Sequence, residues 1–275
     1  MKGFNIDQIS TEHYVLRLYL GTDCFIFAAY STTESPSFFH FQYPTERKRS
    51  LAANIKCICK ENPFSGKKFK NIHILLADTP CIAVPQELFN EAQAETLYYA
   101  CMPKKSNCMI QHHILSSHQL VLLYETDKTV QQLLLDEFPD ACIQSSFIPP
   151  IKYLHERCQL SDRKKIYVHL QHKNMNLYAF DDKHFLMQNT FRCTNGNDLV
   201  YFLLYTWQQL GFNQEKDELY ITGNLPDKEI VLKELPRFIQ QIAIINPMAE
   251  FKRAEFAKAD IGFDLQTSFY FENKK

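Results

Sequence analysis

Glycine is scarce in this chain, with seven among 275 residues, roughly a third of the usual share. Every position where a backbone would have to pass close to a phosphate can therefore be checked one residue at a time. Long apolar runs are missing too. No stretch approaches the ~20 apolar residues of a membrane-crossing helix, and the opening MKGFNIDQIS lacks the apolar centre of a secretory signal, so no membrane span is expected. Excess charge of either sign is absent: 30 Lys and Arg face 31 Asp and Glu, for a net charge of −1. No overall field then favours nucleic acid or acidic membranes, and no nucleic-acid partner is expected. A disulfide framework is missing as well. The nine cysteines are odd in number and scattered, which fits reduced thiols and a cytoplasmic location.

What is present is ample core material, 45% hydrophobic and 13% aromatic residues, over a length that suits about two domains. The organising stretch runs from Lys164 to Leu210. It reads as three short strands, Ile166–Leu170, Met175–Phe180 and His184–Arg192, with tight polar turns at Gln171–Asn174 and Asp181–Lys183. Asn197 or Asp198 then caps a helix whose Leu199, Phe202, Leu203 and Leu210 recur at helical spacing. The same pattern lies about 150 residues earlier. There Tyr14–Leu20, Asp23–Tyr30 and Ser37–Tyr43 form a meander with turns at Gly21-Thr22 and Thr32–Pro36. A helix follows over Thr45–Lys60, with Leu51, Ile55 and Ile58 on one face. Each helix leads to a short apolar strand, Ile72–Ala77 and Glu218–Thr222. Two such units imply an internal duplication into tandem α/β domains.

Between the two meanders the sequence predicts a loop at Asp78–Pro85 and a helix over Gln86–Ala100. A hairpin, Met109–Leu115 with Gln119–Tyr124, turns at Ser116-Ser117. Then come a helix over Lys128–Phe138, a strand at Ala141–Phe147, and a helix Ile151–Cys158 opened by Pro149-Pro150. The short charged segment Gln159–Arg163 reads as a linker. The expected domains are thus 1–158, including the crossing helix, and 164–275. Beyond Glu218–Thr222 the pattern gives a helix over Asp227–Leu235 and a strand at Phe238–Ile245. Met248–Lys275 takes no firm assignment.

Two domains of strand-strand-strand-helix-strand-helix resemble the duplicated ribonuclease-H-like units of the actin-like ATPases. IAVPQELFNEAQAETLYYA resembles the segment of seventy-kilodalton heat-shock chaperones where a strand ending in Val-Pro enters a helix. FPDACIQSSFIPPIKYL followed by KKIYVHLQHKNMNLYAF is similar to the interdomain passage of that superfamily. IINPMAEF is similar to the Asn/Asp-Pro-Phe region of pilus-assembly and cell-division actins. The whole chain also looks like a bacterial family of uncharacterised proteins with an actin-like ATPase fold. The resemblance implies an α/β fold of two tandem ribonuclease-H-like domains, each a mixed five-stranded sheet with flanking helices. It names a fold and leaves the reaction open.

That superfamily places an Asp-x-Gly-Thr-type turn after the first strand of each domain. The Asp holds metal or its waters, because Mg²⁺ takes hard oxygen ligands together with phosphate. In this chain Gly21 and Thr22 match the first turn, but Tyr19 stands at the Asp position and Asp23 lies on the far side. In the second turn His169 stands for the carboxylate, Gln171 and His172 stand for glycines, and Lys173 follows. In the adenosine-binding turn, Thr222-Gly223-Asn224 keeps one glycine of two. The nucleotide contacts that the resemblance leaves are therefore Gly21, Thr22, Gly223 and Asn224, with no catalytic residue and no metal ligand assigned. No cofactor is expected as a fixture, and ATP is the ligand those four residues could admit weakly. The reading that follows is a non-catalytic actin-like protein that binds an unidentified protein partner. Its rivals are an ATPase or small-molecule kinase using relocated acids at Asp23, Asp78 and Asp182, and a self-assembling homo-oligomer like other actin relatives.

Other constellations are weaker. Cys57 and Cys59 lie two apart on a helix and do not face each other. His112, His113 and His118 invite a metal, yet a two-residue turn would pair Leu115 with His118 and Ile114 with Gln119, so no two histidines oppose. The run Lys67-Lys68-Phe69-Lys70 reads as a solvated loop, and Trp207 as core. If the thiol reading holds, titration of the denatured, unreduced protein returns close to the nine cysteines of the sequence; a count lower by two or more would show a disulfide and a different compartment.

Overall fold

The computed structural model describes all residues except 1–9, 36, 62, 63, 65, 78, 160, 161, 172, 182, 183, 225, 226 and 275. In chain order the elements begin with β1 (Val15–Leu20), β2 (Cys24–Tyr30), β3 (Phe38–Pro44), α1 (Leu51–Lys60) and β4 (Asn71–Leu76). Next come β5 (Cys81–Pro85), α2 (Ala94–Cys101), β6 (Cys108–Leu115), β7 (Leu120–Asp127), α3 (Lys128–Glu137), β8 (Cys142–Ser145) and α4 (Ile148–Cys158). The chain continues with β9 (Lys165–Gln171), β10 (Asn174–Asp181), β11 (His184–Arg192), α5 (Gly196–Gln209), β12 (Glu218–Gly223), α6 (Lys228–Glu234) and β13 (Gln241–Ile244). It closes with α7 (Pro247–Glu250) and α8 (Phe263–Tyr270).

Two five-stranded mixed sheets result, ordered β3-β2-β1-β4-β8 and β11-β10-β9-β12-β13. In each, the first two pairings from the meander side are antiparallel and the last two parallel. The expected fold class, two mixed five-stranded sheets with flanking helices, is the one observed. By compactness the chain forms one unit of residues 1–114, 121–148 and 268–275, and a second of 115–120 and 149–267. This grouping differs from the consecutive expectation of 1–158 and 164–275 in placing residues 115–120 and 149–158 with the second unit and 268–275 with the first.

In the second unit the alternation of β9 sorts its side chains. Ile166, Val168 and Leu170 join Leu199, Leu203 and Trp207 of α5 and Val231 of α6 in one apolar cluster. The odd positions point to the other face, where Tyr167 stacks on Tyr220 at 4.9 Å between ring centroids. In the first unit β1 is buried at every position, and its Arg17 donates to Asn71 Oδ1 at 2.9 Å and to Glu272 at 3.1 Å. Burial pulls the Arg17 pKa down to about 10 while Glu272 holds it up, so the guanidinium stays charged at neutral pH.

Several sequence expectations are corrected. Residues 81–85 form a strand, not a loop, because β5 adds to a third sheet ordered β5-β7-β6. The helix expected over 86–100 is broken into two 3₁₀ turns before α2, since Asn90 caps a fresh turn by accepting from Ala92 N–H at 3.0 Å. The hairpin does not close at two residues. Ser116–His118 make a 3₁₀ turn and Gln119 takes φ +52°, so His118 lies in the turn and not in strand pairing. Helix α5 is capped by Asn195, whose side chain accepts from Asp198 N–H at 3.0 Å; Asp198 reaches back to Thr194 N–H at 2.7 Å. The unassigned end holds α7, α8 and two 3₁₀ turns. All nine cysteines are free thiols, and no described helix is long and apolar enough to cross a membrane.

The cap correction is directly testable. Trp207 is the single tryptophan and is buried in the second unit, so its fluorescence follows that unit's unfolding. Asn195→Ala is expected to lower stability by about 1 kcal/mol and Asn197→Ala by roughly half that or less; equal losses would return the cap to the later position.

Candidate functional site

The first turn of interest joins β1 to β2. Gly21 N–H donates to Cys24 C=O at 3.0 Å, and the Thr45 hydroxyl donates to Thr22 C=O at 2.6 Å. The turn is thus tied to the chain after β3. A Cβ on Gly21 would lie 3.0 Å from both Cys24 O and the Tyr19 ring, so the Tyr19 ring, itself buried, occupies the space beside Gly21. Asp23 is exposed and pairs with Arg47 at 3.2 Å.

The second turn follows β9. His169 is 3% exposed, and burial pushes its pKa down to about 4, which leaves a neutral imidazole at pH 7. Its Nε2 accepts from the Phe263 backbone N–H at 3.4 Å, which places the ring proton on Nδ1, a buried atom with no protein partner. Gln171 packs against Gly262: a Cβ there would lie 2.9 Å from Gln171 Nε2 and 2.5 Å from Asp264 Oδ1. Lys173 is exposed. His172, Asp78 and Asp182, all weighed in the sequence, lie outside the described residues.

The third turn leaves β12 beside the second. Register pairs Thr222 with His169 and Gly223 with Leu170. Gly223 has φ +92°, and a Cβ on it would sit 2.0 Å from Leu170 O. Only glycine fits there, on grounds of backbone approach alone. Asn224 N–H donates to the same Leu170 carbonyl at 3.2 Å, and Thr222 Oγ1 is buried without a protein partner. The structure therefore gathers Gly223 and Asn224 with the second turn, while Gly21 and Thr22 belong to the first unit.

Sequence reasoning missed a polar cavity of about 570 Å³ in the first unit, lined by Thr79, Pro80, Lys105, Ser106, Cys108, Glu125 and Asp127. Glu125 is buried there and takes Lys105 at 2.7 Å. Its members come from β6, β7 and the loops before β5 and β6, and no sequence spacing links them. Among the described residues no three His, Cys, Asp or Glu side chains converge on one point. His118 instead packs against His155, with ring centroids 3.9 Å apart and the planes tilted by 46°.

These features belong to a known group. Residues 4–242 match the family model described as protein of unknown function (DUF3822). The chain belongs to the DUF3822 family. A crystal structure from Bacteroides thetaiotaomicron VPI-5482, described as a protein with actin-like ATPase fold and unknown function, is 32% identical, with a TM-score of 0.84 over 97% of this chain and 98% of that one. The PilM–PilN type IV pilus biogenesis complex matches at 13% identity and a TM-score of 0.57, over 95% and 98% of the two chains, a likeness of fold alone. A search of curated proteins finds no match. The DUF3822 chain thus has the actin-like ATPase fold its sequence resembles.

His169 also gives this family member an acid response. A pKa lowered in the fold adds stability above the unfolded value near 6.5, and that stability is lost as pH falls toward the folded value of about 4. In His169→Gln the amide oxygen can still accept from Phe263 and does not titrate. Between about pH 7 and pH 5, wild type is expected to lose about 2 kcal/mol more than the variant, read by denaturant unfolding on Trp207; parallel pH profiles would refute the neutral imidazole.

Proposed function

We propose that this protein uses the actin-like fold for binding and does not turn over Mg²⁺-ATP. The observation that carries the reading is His169: a buried neutral imidazole, committed to the Phe263 amide, on the strand where the resemblance implies a metal-holding carboxylate. A neutral imidazole offers Mg²⁺ no anionic oxygen. Tyr19, at the matching place in β1, is buried with its ring against Gly21. Donors suited to phosphate are also engaged, Gly21 N–H by Cys24 and Asn224 N–H by Leu170. The residues present therefore do not fit a metal-bound triphosphate, whose transfer depends on metal and positioned donors.

In this reading Gly21, Thr22, Gly223 and Asn224 make at most weak contacts with a nucleoside or anion, and the work is done by association with a protein partner. The matching order and direction of the two large sheets support descent from one duplicated unit, with domains dividing between residues 158 and 164 at the level of the sheets. Nine free thiols support a reducing, cytoplasmic location. The rival enzyme reading has one of its three acids, Asp23, among the described residues, and Arg47 pairs with it.

Calorimetry with ATP and hydrolysis assays on purified protein decide between them. We expect no turnover above background and weak binding at best, unchanged by adding Mg²⁺. Steady hydrolysis abolished by Asp23→Ala or Asp78→Ala would overturn the proposal in favour of an enzyme.

A further inference from the structure

The polar cavity of the first unit is built around an ion pair that is only half closed. All of its lining residues belong to that unit. The Glu125 side chain is 5% exposed, whereas its partner Lys105 is 58% exposed and stands on the loop before β6. The lysine donates to Glu125 Oε1 at 2.7 Å. Oε2 is left with the Tyr99 hydroxyl at 3.5 Å, beyond the range of a good O–H···O bond. Asp127 repeats the pattern two residues along β7. Its Oδ1 accepts from Val130 N–H at 3.0 Å as the cap of α3, and its Oδ2 accepts from the Asn107 amide at 3.3 Å. A carboxylate can accept about four hydrogen bonds, so each keeps an oxygen with capacity to spare. Positions two apart on a strand face the same side, and both residues line the cavity.

The charge of the lining does not balance. Lys105 is its one cation, against the carboxylates of Glu125 and Asp127. Burial pushes the Cys108 thiol pKa up, which leaves that group neutral. Of the adjacent lysines, Lys104 already pairs with Glu95 at 2.9 Å, and Lys128 stands outside the lining. One negative charge therefore remains to be met. A hard metal ion needs several oxygen ligands around one point, and among the described residues no three His, Cys, Asp or Glu side chains converge in that way. An anion would meet two carboxylates. What fits is a group with one positive charge and several N–H donors, and Lys105 on Glu125 shows how such a group is held here.

We propose that this cavity binds a primary ammonium group, held by the spare oxygens of Glu125 and Asp127 with the hydroxyls of Ser106 and Thr79 as further acceptors. Charge-assisted bonds of this kind are stronger than neutral ones. The volume of about 570 Å³ falls among small-molecule sites, roughly 300–1,000 Å³, and leaves room for a chain beyond the ammonium. Lys105 sets the affinity from the other side, because its own charge shares Glu125 with the ligand and repels it. Free amines and the lysine side chain of a protein partner share this chemistry. The inference does not rest on the absence of ATP turnover.

Amide NMR titrations of the intact chain test it, with butylammonium, butanol and butyrate as probes. Butylammonium is expected to shift the amides around residues 105–108 and 125–127 saturably, with a Kd of about a millimolar, and the other two to leave them unmoved. Glu125→Gln and Asp127→Asn should each weaken binding roughly tenfold or more. Asn caps a helix as well as Asp does, so in Asp127→Asn that loss is not a folding defect. Lys105→Met should instead tighten binding, roughly threefold or more, which a merely structural lysine would not produce. A capped tripeptide with a central lysine identifies the source: tighter binding than butylammonium assigns the ammonium to a partner chain, and weaker binding to a free amine. Equal shifts from butanol, Mg²⁺ shifting the same amides in place of the amine, no saturable shift at all, or affinity unchanged in both carboxylate variants would overturn the proposal.

Discussion

The constraint on which the rest of this structure depends is that its central strands are buried on both faces. Every residue of β1 and all but the last of β9 are inaccessible, so any polar side chain there must find its partner inside the protein. Of the polar residues buried on these strands, Arg17 and His169 each recruit a distant part of the chain and Lys165 a nearer one. Arg17 draws in Asn71, Glu272 and the Ser268 carbonyl within the first unit. Lys165 donates to the carbonyls of Cys158 and Arg163, fixing the end of α4 within the second. His169 takes the Phe263 amide at the start of α8. The C-terminal segment is thereby ordered by polar residues of the strand interiors as much as by its own sequence.

That dependence explains what could be read from the sequence and what could not. The meanders were legible because alternation in strands such as KIYVHLQ and helical spacing in LVYFLLYTW are local signals, and all six meander strands lie within two residues of expectation. The turn at Asn90 and the cap at Asn195 were missed because side-chain hydrogen bonds two or three residues away decided them, and β5 because its pairing with β7 did; apolar spacing carries no trace of either. Residues beyond Met248 were unreadable for a different reason. Glu250 of α7 takes the Tyr153 hydroxyl and pairs with Arg157, both on α4, so α7 is held by contacts almost a hundred residues away in sequence.

The candidate site divides along the same line. Residue identities at the turns were visible in the sequence, including Tyr19, His169 and the lone glycine at Gly223. What each was doing was not. Gly223 could have been retained for a ligand, yet the 2.0 Å approach of a Cβ to Leu170 O requires glycine there whether or not anything binds. His169 could have been a metal ligand or an acid-base group; its burial and its acceptor role toward Phe263 make it part of the packing. The polar cavity around Glu125 gave no sequence signal because β6, β7 and the loop before β5 had to be brought side by side before its members met.

This separation between what holds the fold and what would perform chemistry has a physical basis. The doubly buried strands and the cluster beneath α5 tolerate change only if volume and polarity are kept. The turns at the strand ends are free of that demand except where backbones touch, as at Gly21 and Gly223. A chain in this family can therefore keep the architecture shared with its 32% identical relative while its turn residues follow a different selection. On the binding reading, the features that should distinguish one member from another lie on outward surfaces. The outward face of α5 is such a feature, because its Tyr201 and Tyr205 are exposed and stand outside the apolar cluster that the helix buries.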